Sequence, residues 1–515
     1  MKQRSKGQVL ATRARKAFDE GALDEARKLA RRALDEAAND PSALRSLSEL
    51  AAAMGNVDVA CELLEQSLVR HPPPAPVSWQ VRLGDLRVRQ GKLDDGVRAY
   101  QAVVSRAPNE RAGWVGLATA REAQRNGFAA IESWQRASDL DPNDWETALR
   151  LAEALMEIRA WDRADEAFAK ASRGNAQRPS VMVGRGTLDM HRGLCLEAMA
   201  RFKACVAQHP SYAPGHAALG ILLREEGRFE EAAGALRRAK ELVPDDPNHP
   251  LVLGRILLEG GLPERALAEA RAYLARRPGH CGALALEALA HIALGDADDV
   301  ARFFDYPTVV LARRLPVPRG FADLASFNAV LAAHAANHPT LMTAPASHST
   351  YQGLHSGSLL VEPRGPVAPF EEAIESVVAG YWRRLSQATH LPFAESRPHD
   401  VVLAMWCIVL ERGAHQGPHI HPAAWLSGVY YPQIPEGIRT GAGPEGWLEF
   451  GKPDGAFPSK TEPPLYRVRP EEGLVVVFPS YIYHRTLPFE DSGTRISVAF
   501  DVVPFAPASE RASPR

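Results

Sequence analysis

The first 300 residues place apolar and polar positions at the spacing of amphipathic helices, and this pattern returns along the chain. One position of the pattern always holds a small residue, at spacings of 34 or 36: Ala26, Ala60, Gly96, Ala130, Ala164, Ala198, Ala232 and Ala266. Prolines lie 12 residues after most of them: Pro72, Pro108, Pro142, Pro210, Pro244 and Pro278. The pattern predicts eight helix pairs, in which the small residue permits close helix contact and proline ends the second helix.

The length of the period and its local phrases resemble tetratricopeptide repeats. Residues Trp114, Leu117 and Ala118 keep the W-x-x-L-A order, and RASDLDPN closes one unit at residues 136–143. The resemblance extends over about residues 7–278, and residues 281–305 continue as a capping helix pair. It implies an all-α solenoid over residues 7–305, which serves either as a scaffold or as a groove for a protein or peptide partner. Its tryptophans at helical spacing fit inter-helix packing better than ligand stacking: Trp79, Trp114, Trp134, Trp145 and Trp161.

The pattern changes near Tyr306, where prolines and strand-like runs replace the 34-residue period. Residues 320–338 and 369–388 have helical spacing. From residue 400, short runs rich in β-branched and aromatic residues predict at least six strands: VVLAMWCIVL, WLSGVYYPQI, GWLEF, LYRVR, GLVVVFP and TRISVAFDVV. We expect an α+β domain over residues 306–505, a barrel or jelly-roll core at about 400–503, and a disordered tail at 506–515.

Composition excludes several partners. With 60 basic and 62 acidic residues, the formal charge of −2 provides no field that would attract nucleic acid or an anionic membrane. No segment resembles a secretory signal or a bilayer-spanning helix. The five cysteines are far apart in sequence, which favours a reducing, cytoplasmic location.

Candidate chemistry lies at three points of the strand-rich region. His419 and His421 precede a strand, and if the segment is extended, alternate residues point to the same face and can hold one metal. His484 follows the GLVVVFPS segment. Arg495 and Ser497 open the next predicted strand on one face, where a guanidinium beside a hydroxyl suits a carboxylate ligand.

The order H-x-H, His, R-x-S resembles 2-oxoglutarate/Fe(II) oxygenases, and PHIHPAAWLSGVYYPQIP with GLVVVFPSYIYHRTLPFEDSGTRISVAFD resembles a bacterial and phage group of that family. The resemblance covers about residues 340–503. It implies a dioxygenase that hydroxylates a substrate with Fe(II), 2-oxoglutarate and O₂. The metal ligands it implies are His419, His421 and His484, and the cosubstrate residues are Arg495, Ser497 and Tyr430. Further wall candidates are Tyr431, Trp406, His415 and Gln416.

The sequence departs from the usual two-histidine, one-carboxylate triad, since His421 stands in the carboxylate position. Three imidazoles leave the metal open between Fe, Zn, Cu and Ni. In an alternative register His421 is the first ligand and Ala423 takes the carboxylate position. Asp454, Glu449 and Asp501 are possible outside carboxylates, although turn or surface positions fit them better.

Two other functions remain open. The chain could be a non-enzymatic repeat scaffold with a metal-binding, cupin-like domain, or a metal-dependent dioxygenase that uses no 2-oxoglutarate. The R-x-S element favours the 2-oxoglutarate enzyme, because a β-domain kept only for packing needs no positive charge at that place.

Overall fold

The computed structural model describes residues 5–37, 39–246, 248–343, 349–385, 391, 393–394, 397–398 and 400–504. It divides into two compact units that join in sequence between Pro142 and Asn143. The predicted disordered tail at 506–515 lies outside the described residues, and so do residues 386–388 of a predicted helix. Within the described residues, no helix combines the length and apolar character required to cross a bilayer.

The first unit contains antiparallel helix pairs, as the repeat pattern predicts. Its helices are α1 Lys6–Asp19, α2 Leu23–Glu36, α3 Pro41–Ala53, α4 Val57–Arg70, α5 Val77–Arg89, α6 Leu93–Arg106, α7 Arg111–Ala123 and α8 Gly127–Leu140. The small repeat residues lie at the helix contacts, with Ala26, Ala60 and Ala130 fully buried. Gly21 and Gly91 end the first helix of their pairs with a positive φ, a conformation that glycine adopts without strain.

The second unit begins with ten helices that continue the same pattern. They are α9 Trp145–Glu157, α10 Trp161–Ala171, α11 Pro179–His191, α12 Cys195–Gln208, α13 Ala213–Glu225, α14 Phe229–Leu242, α15 Asn248–Glu259, α16 Pro263–Arg276, α17 Cys281–Leu294 and α18 Ala297–Phe303. The four small residues of the series in this stretch are all fully buried: Ala164, Ala198, Ala232 and Ala266. The predicted helical array is confirmed.

The rest of the second unit is rich in strands. Its helices are α19 Tyr306–Val309, α20 Leu324–Ala336, α21 Val367–Leu385 and α22 Glu436–Thr440. Its strands are β1 Leu311–Arg314, β2 Met342–Thr343, β3 Thr350–Tyr351, β4 Leu354–His355, β5 Val401–Leu410, β6 His415–His419, β7 Leu426–Gln433, β8 Leu448–Phe450, β9 Tyr466–Val468, β10 Leu474–Pro479, β11 His484–Thr486 and β12 Arg495–Pro504. All six predicted strands are present, and two further strands, β6 and β11, contain the candidate histidines His419 and His484.

These strands form two antiparallel sheets. The order is β1-β10-β7-β12-β5-β4-β2 in the seven-stranded sheet and β3-β6-β11-β8-β9 in the five-stranded sheet. The long strand β12 pairs with β5 over its whole length and with β7 on its other side. The central strands are therefore joined by contacts far apart in sequence, since paired residues of these strands are separated by 63 to 103 positions.

The last repeat helices and the sheets share one hydrophobic cluster. Cys281 and Leu284 of α17 belong to the same buried cluster as Trp425 and Tyr481. The Cys281 thiol donates to the Trp425 carbonyl at 3.6 Å, and the Tyr481 hydroxyl donates to the carbonyl of Phe303 at 2.6 Å. Helical array and sheets are thus packed together inside the second unit.

Candidate metal and carboxylate site

Three histidines converge at one end of β6 and β11, two inner strands of the five-stranded sheet. His419 is the last residue of β6 and lies directly opposite His484, the first residue of β11. Their ring centroids are 4.2 Å apart, and the ring of His421 is 5.1 Å from His419 and 5.2 Å from His484. One ligand nitrogen from each of the three lies within 4.8 Å of the others. This spacing permits a single ion to contact all three imidazoles.

Nδ1 of each of the three rings is hydrogen-bonded to an acceptor oxygen. Nδ1 of His419 lies 2.8 Å from the carbonyl of Gly417, and Nδ1 of His484 lies 3.1 Å from the carbonyl of Ile482. Nδ1 of His421 lies 2.7 Å from a carboxylate oxygen of Asp501. Because these oxygens only accept, each Nδ1 carries the proton and the lone pair belongs to Nε2. The tautomers are therefore those of metal-ligating histidines.

Burial favours the neutral, metal-binding form of His484. Desolvation, with smaller contributions from the neighbouring imidazoles of His419 and His421, holds the pKa of His484 well below its ordinary value. His419 and His421 are partly exposed. The trio is thus open on one side and anchored in the protein on the other.

The chain turns immediately after His421. The strand β6 ends at His419, and exposed Pro422 and Ala423 form a turn that leads to β7. Of the two registers considered from sequence, the one with His419 and His421 brings three imidazoles together, whereas the one with Ala423 depends on an exposed turn residue.

Asp501 and Glu449 are not surface residues, in contrast to the sequence interpretation. Asp501 is 9% exposed and Glu449 is fully buried. Glu449 accepts hydrogen bonds from Arg467 and Arg485. Asp454, by contrast, has a side chain that is 49% exposed and pairs with Arg255. The strand alternation of β12 gave the signal for Asp501, since Arg495, Ser497 and Asp501 occupy alternate positions and share one face.

Arg495 is a buried cation without an anionic partner. It is 1% exposed, and within the described residues no carboxylate lies at ion-pair distance and its Nε has no hydrogen-bond partner. Its guanidinium contacts the hydroxyl of Ser497 at 3.4 Å and lies 5.0 Å from the ring centroid of Tyr431. Burial lowers the pKa of Arg495 from its ordinary value.

Arg495 forms no ion pair with Glu490 or Asp491, the acidic residues that precede it in the sequence. Glu490 pairs with Arg412 instead, and Asp491 accepts from the backbone amides of Gly437 and Gly493. The charge of Arg495 is therefore compensated by neither of the acidic residues nearest to it in sequence.

Tyr430 is not part of this group. Its hydroxyl donates to Asn328 of α20, and its ring lies 6.0 Å from Phe327 and 5.1 Å from Phe370. Successive residues of a strand point to opposite faces, so Tyr430 faces the helices and Tyr431 faces Arg495. The position of Tyr430 does not fit the prediction that it contacts the cosubstrate. Tyr431 is the better candidate for that contact.

The other wall candidates differ in position. The ring of Trp406 lies 5.6 Å from that of His421. His415 stacks on Tyr351 at 4.9 Å, and Gln416 lies opposite Thr350 in the neighbouring strand. Sequence reasoning missed His355, which is 4% exposed with its ring 6.0 Å from Trp406. Its strand, β4, has only two residues, so no periodic signal could reveal it.

Models of known protein families match parts of the repeat region and part of the strand-rich region. A family model described as Putative 2OG-Fe(II) oxygenase matches residues 404–501, and a tetratricopeptide repeat model matches residues 12–76, 81–127 and 183–247. A tetratricopeptide repeat protein from Parabacteroides merdae is 18% identical with a TM-score of 0.44, over 48% of this chain and 98% of that one. MamA from Desulfovibrio magneticus is 21% identical with a TM-score of 0.29, over 32% of this chain and 92% of that one. The three histidines, Arg495 and Asp501 all fall inside the first matched range.

Proposed function

We propose that this chain, in which family models find tetratricopeptide repeats and a Putative 2OG-Fe(II) oxygenase domain, is a 2-oxoglutarate/Fe(II)-dependent dioxygenase. The observation that carries the proposal is the buried, unpaired Arg495 on the same domain as three converging imidazoles. A metal-binding domain without a carboxylate cosubstrate would have no use for that charge.

The three imidazoles fit a divalent metal. Nε2 of His419, His421 and His484 would hold it, since each Nδ1 is already hydrogen-bonded and one nitrogen of each ring lies within 4.8 Å of the others. When iron and 2-oxoglutarate are bound, they supply the oxidation of a C–H bond by dioxygen, coupled to decarboxylation of the cosubstrate. The role of the chain is to hold iron and 2-oxoglutarate and to keep His484 neutral.

Arg495 and Ser497 fit the distal carboxylate of 2-oxoglutarate. A guanidinium can donate two parallel hydrogen bonds to a carboxylate, and the Ser497 hydroxyl beside it can donate a third. The ring of Tyr431 lies against the guanidinium and excludes water from one side. A bound carboxylate would provide Nε of Arg495 with the partner that the described residues do not supply.

We also propose that the two sheets form a double-stranded β-helix around this site. His419 and His484 come from the five-stranded sheet, whereas Asp501 and Arg495 come from the seven-stranded sheet. The hydrogen bond between His421 and Asp501 joins residues from the two sides. The helical repeats would bind a protein substrate or partner, since stacked helical repeats commonly serve as binding surfaces.

The test is an anaerobic titration with Fe(II) and 2-oxoglutarate, monitored through the metal-to-ligand charge-transfer band. Arg495→Ala should retain iron and raise the 2-oxoglutarate dissociation constant at least about thirtyfold, because a buried charge-assisted pair lost at about 2 kcal/mol corresponds to that factor. The matched control is Arg412→Ala, which removes an exposed arginine paired with Glu490 and should leave the affinity unchanged. Equal 2-oxoglutarate affinity for wild type and Arg495→Ala, at equal iron content, would leave only a metal-binding domain.

A further inference from the structure

The proposed ligand set lacks the negative charge of the usual triad. Two histidines and one carboxylate reduce the charge of a divalent ion by one, whereas three neutral imidazoles leave it unchanged. A site of this kind holds a divalent metal less selectively, because imidazole suits several metals. A carboxylate close to the site would restore the missing charge.

Asp501 is placed to do this through His421. Both of its carboxylate oxygens approach Nδ1 of His421, at 2.7 and 2.8 Å. The side chains are 12% exposed for Asp501 and 16% exposed for His421, so water screens their interaction only in part. None of the other described carboxylates forms an ion pair with His421 or His484.

The carboxylate is held in its orientation by two buried serines. The Ser427 hydroxyl donates to Oδ1 of Asp501 at 2.8 Å, and the hydroxyls of Ser427 and Ser480 are 2.8 Å apart. Both serines are almost fully buried. The backbone amide of His421 donates to the carbonyl of Ser480 at 3.2 Å, which fixes the main chain of the histidine to the same group. Asp501 and His421 are therefore preorganised relative to each other.

We propose that Asp501 is a positioning residue that supplies, through the imidazole of His421, the negative charge that the ligand set lacks. The inference rests on the metal site of the proposed function. A hydrogen bond from Nδ1 to a carboxylate fixes the ring and makes Nε2 a stronger donor to a metal. Asp501 thus acts on the metal without contacting it.

Metal affinity separates this role from a packing role. Dissociation constants of Co(II) and of Fe(II) under anaerobic conditions can be measured by chelator competition for wild type, Asp501→Asn and Asp501→Ala. Asparagine keeps an acceptor oxygen but removes the charge, so Asp501→Asn should bind both metals about 10- to 100-fold more weakly. The alanine variant should be at least as weak, and the visible spectrum of bound Co(II) should change in both.

A control separates the loss of the carboxylate beside His421 from the loss of a buried carboxylate elsewhere in the domain. Glu449→Gln neutralises a fully buried carboxylate of the same domain, one that binds Arg467 and Arg485 instead of a histidine. It should leave metal affinity unchanged. Thermal melting of each metal-free variant verifies that it is folded.

A second variant tests the charge directly. His421→Asp inserts the carboxylate of the usual triad, but beside Asp501 it creates two like charges, so metal binding should weaken. Combining His421→Asp with Asp501→Asn should recover at least tenfold of the affinity. If Asp501→Asn binds metal as tightly as wild type, or if the double variant recovers nothing, the inference is overturned. A wild type that binds neither metal would instead overturn the metal site of the proposed function.

Discussion

The repeat helices and the sheets each contain an arginine that is largely shielded from solvent. The two arginines differ in whether acidic side chains pair with their charge. Arg255 of α15 has a side chain that is 12% exposed and pairs with Glu259 at 2.9 Å and with Asp454 at 2.7 Å. It also donates to the hydroxyl of Tyr483 at 3.2 Å. Arg495 is 1% exposed, and no carboxylate of the described residues lies at ion-pair distance from it. The first charge is fully compensated within the chain, and the second is not.

Under the proposed function, Arg255 carries a charge with a structural role, whereas Arg495 carries one that binds a ligand. Burial raises the pKa of Glu259, but hydrogen bonds from Arg224 and Arg255 outweigh it and hold the pKa below its ordinary value. That network joins the repeat helices to the loop after β8 and to Tyr483, the residue before His484. Paired charges offset most of the cost of burying a cation, whereas a buried cation without an anionic partner costs free energy until an anion binds.

The largest effect is expected at the paired arginine. Arg255→Ala leaves Glu259 and Asp454 with fewer partners and should lower the free energy of unfolding by about 3–5 kcal/mol, the cost of breaking a buried ion pair. Urea denaturation followed by circular dichroism measures this change. Arg238→Ala, which removes an exposed arginine paired with Glu241, is the matched control and should show no resolvable change. A loss below about 1 kcal/mol at Arg255 would remove the contrast between the two arginines.

An intermediate effect is expected where the repeats pack through small residues. Ala232 is fully buried, and its carbonyl lies 3.2 Å from where a Cβ on Gly220 would be, so α13 and α14 are in close contact. Ala232→Leu should cost about 1–3 kcal/mol through overpacking. Gly234→Ala, two residues later at an open position, should instead gain about 0.5–1 kcal/mol because alanine favours the helix. Equal stability of the two variants would argue against the small-residue contact.

The smallest effect is expected at the unpaired arginine. Arg495→Met removes a buried donor without a partner and should stabilise the ligand-free protein by about 1 kcal/mol, the lower end of the cost of an unsatisfied buried group. Differential scanning calorimetry with and without 2-oxoglutarate and metal measures it. The ligands should raise the melting temperature of wild type more than that of the variant. A marked loss of stability in the ligand-free variant would mean that Arg495 has a structural role like that of Arg255.

The sequence alone determined the helical array and most of the strands. In a repeat, the residues at helix contacts recur at a fixed spacing, so Ala164 and Ala198 could be placed at helix contacts from their spacing. The alternation of β12 likewise placed Arg495 and Ser497 on one face. These features depend on residues close in the chain, where periodicity carries the information.

Only the tertiary structure decided which residues complete the site. Asp501 reaches His421 across 80 residues, and His484 meets His419 through the pairing of β11 with β6. The choice of Tyr431 over Tyr430 depends on which face of β7 the helix α20 covers. Such contacts arise from the register of strands distant in sequence, and no local pattern records that register, because any extended segment can pair with many others until the whole core excludes the alternatives.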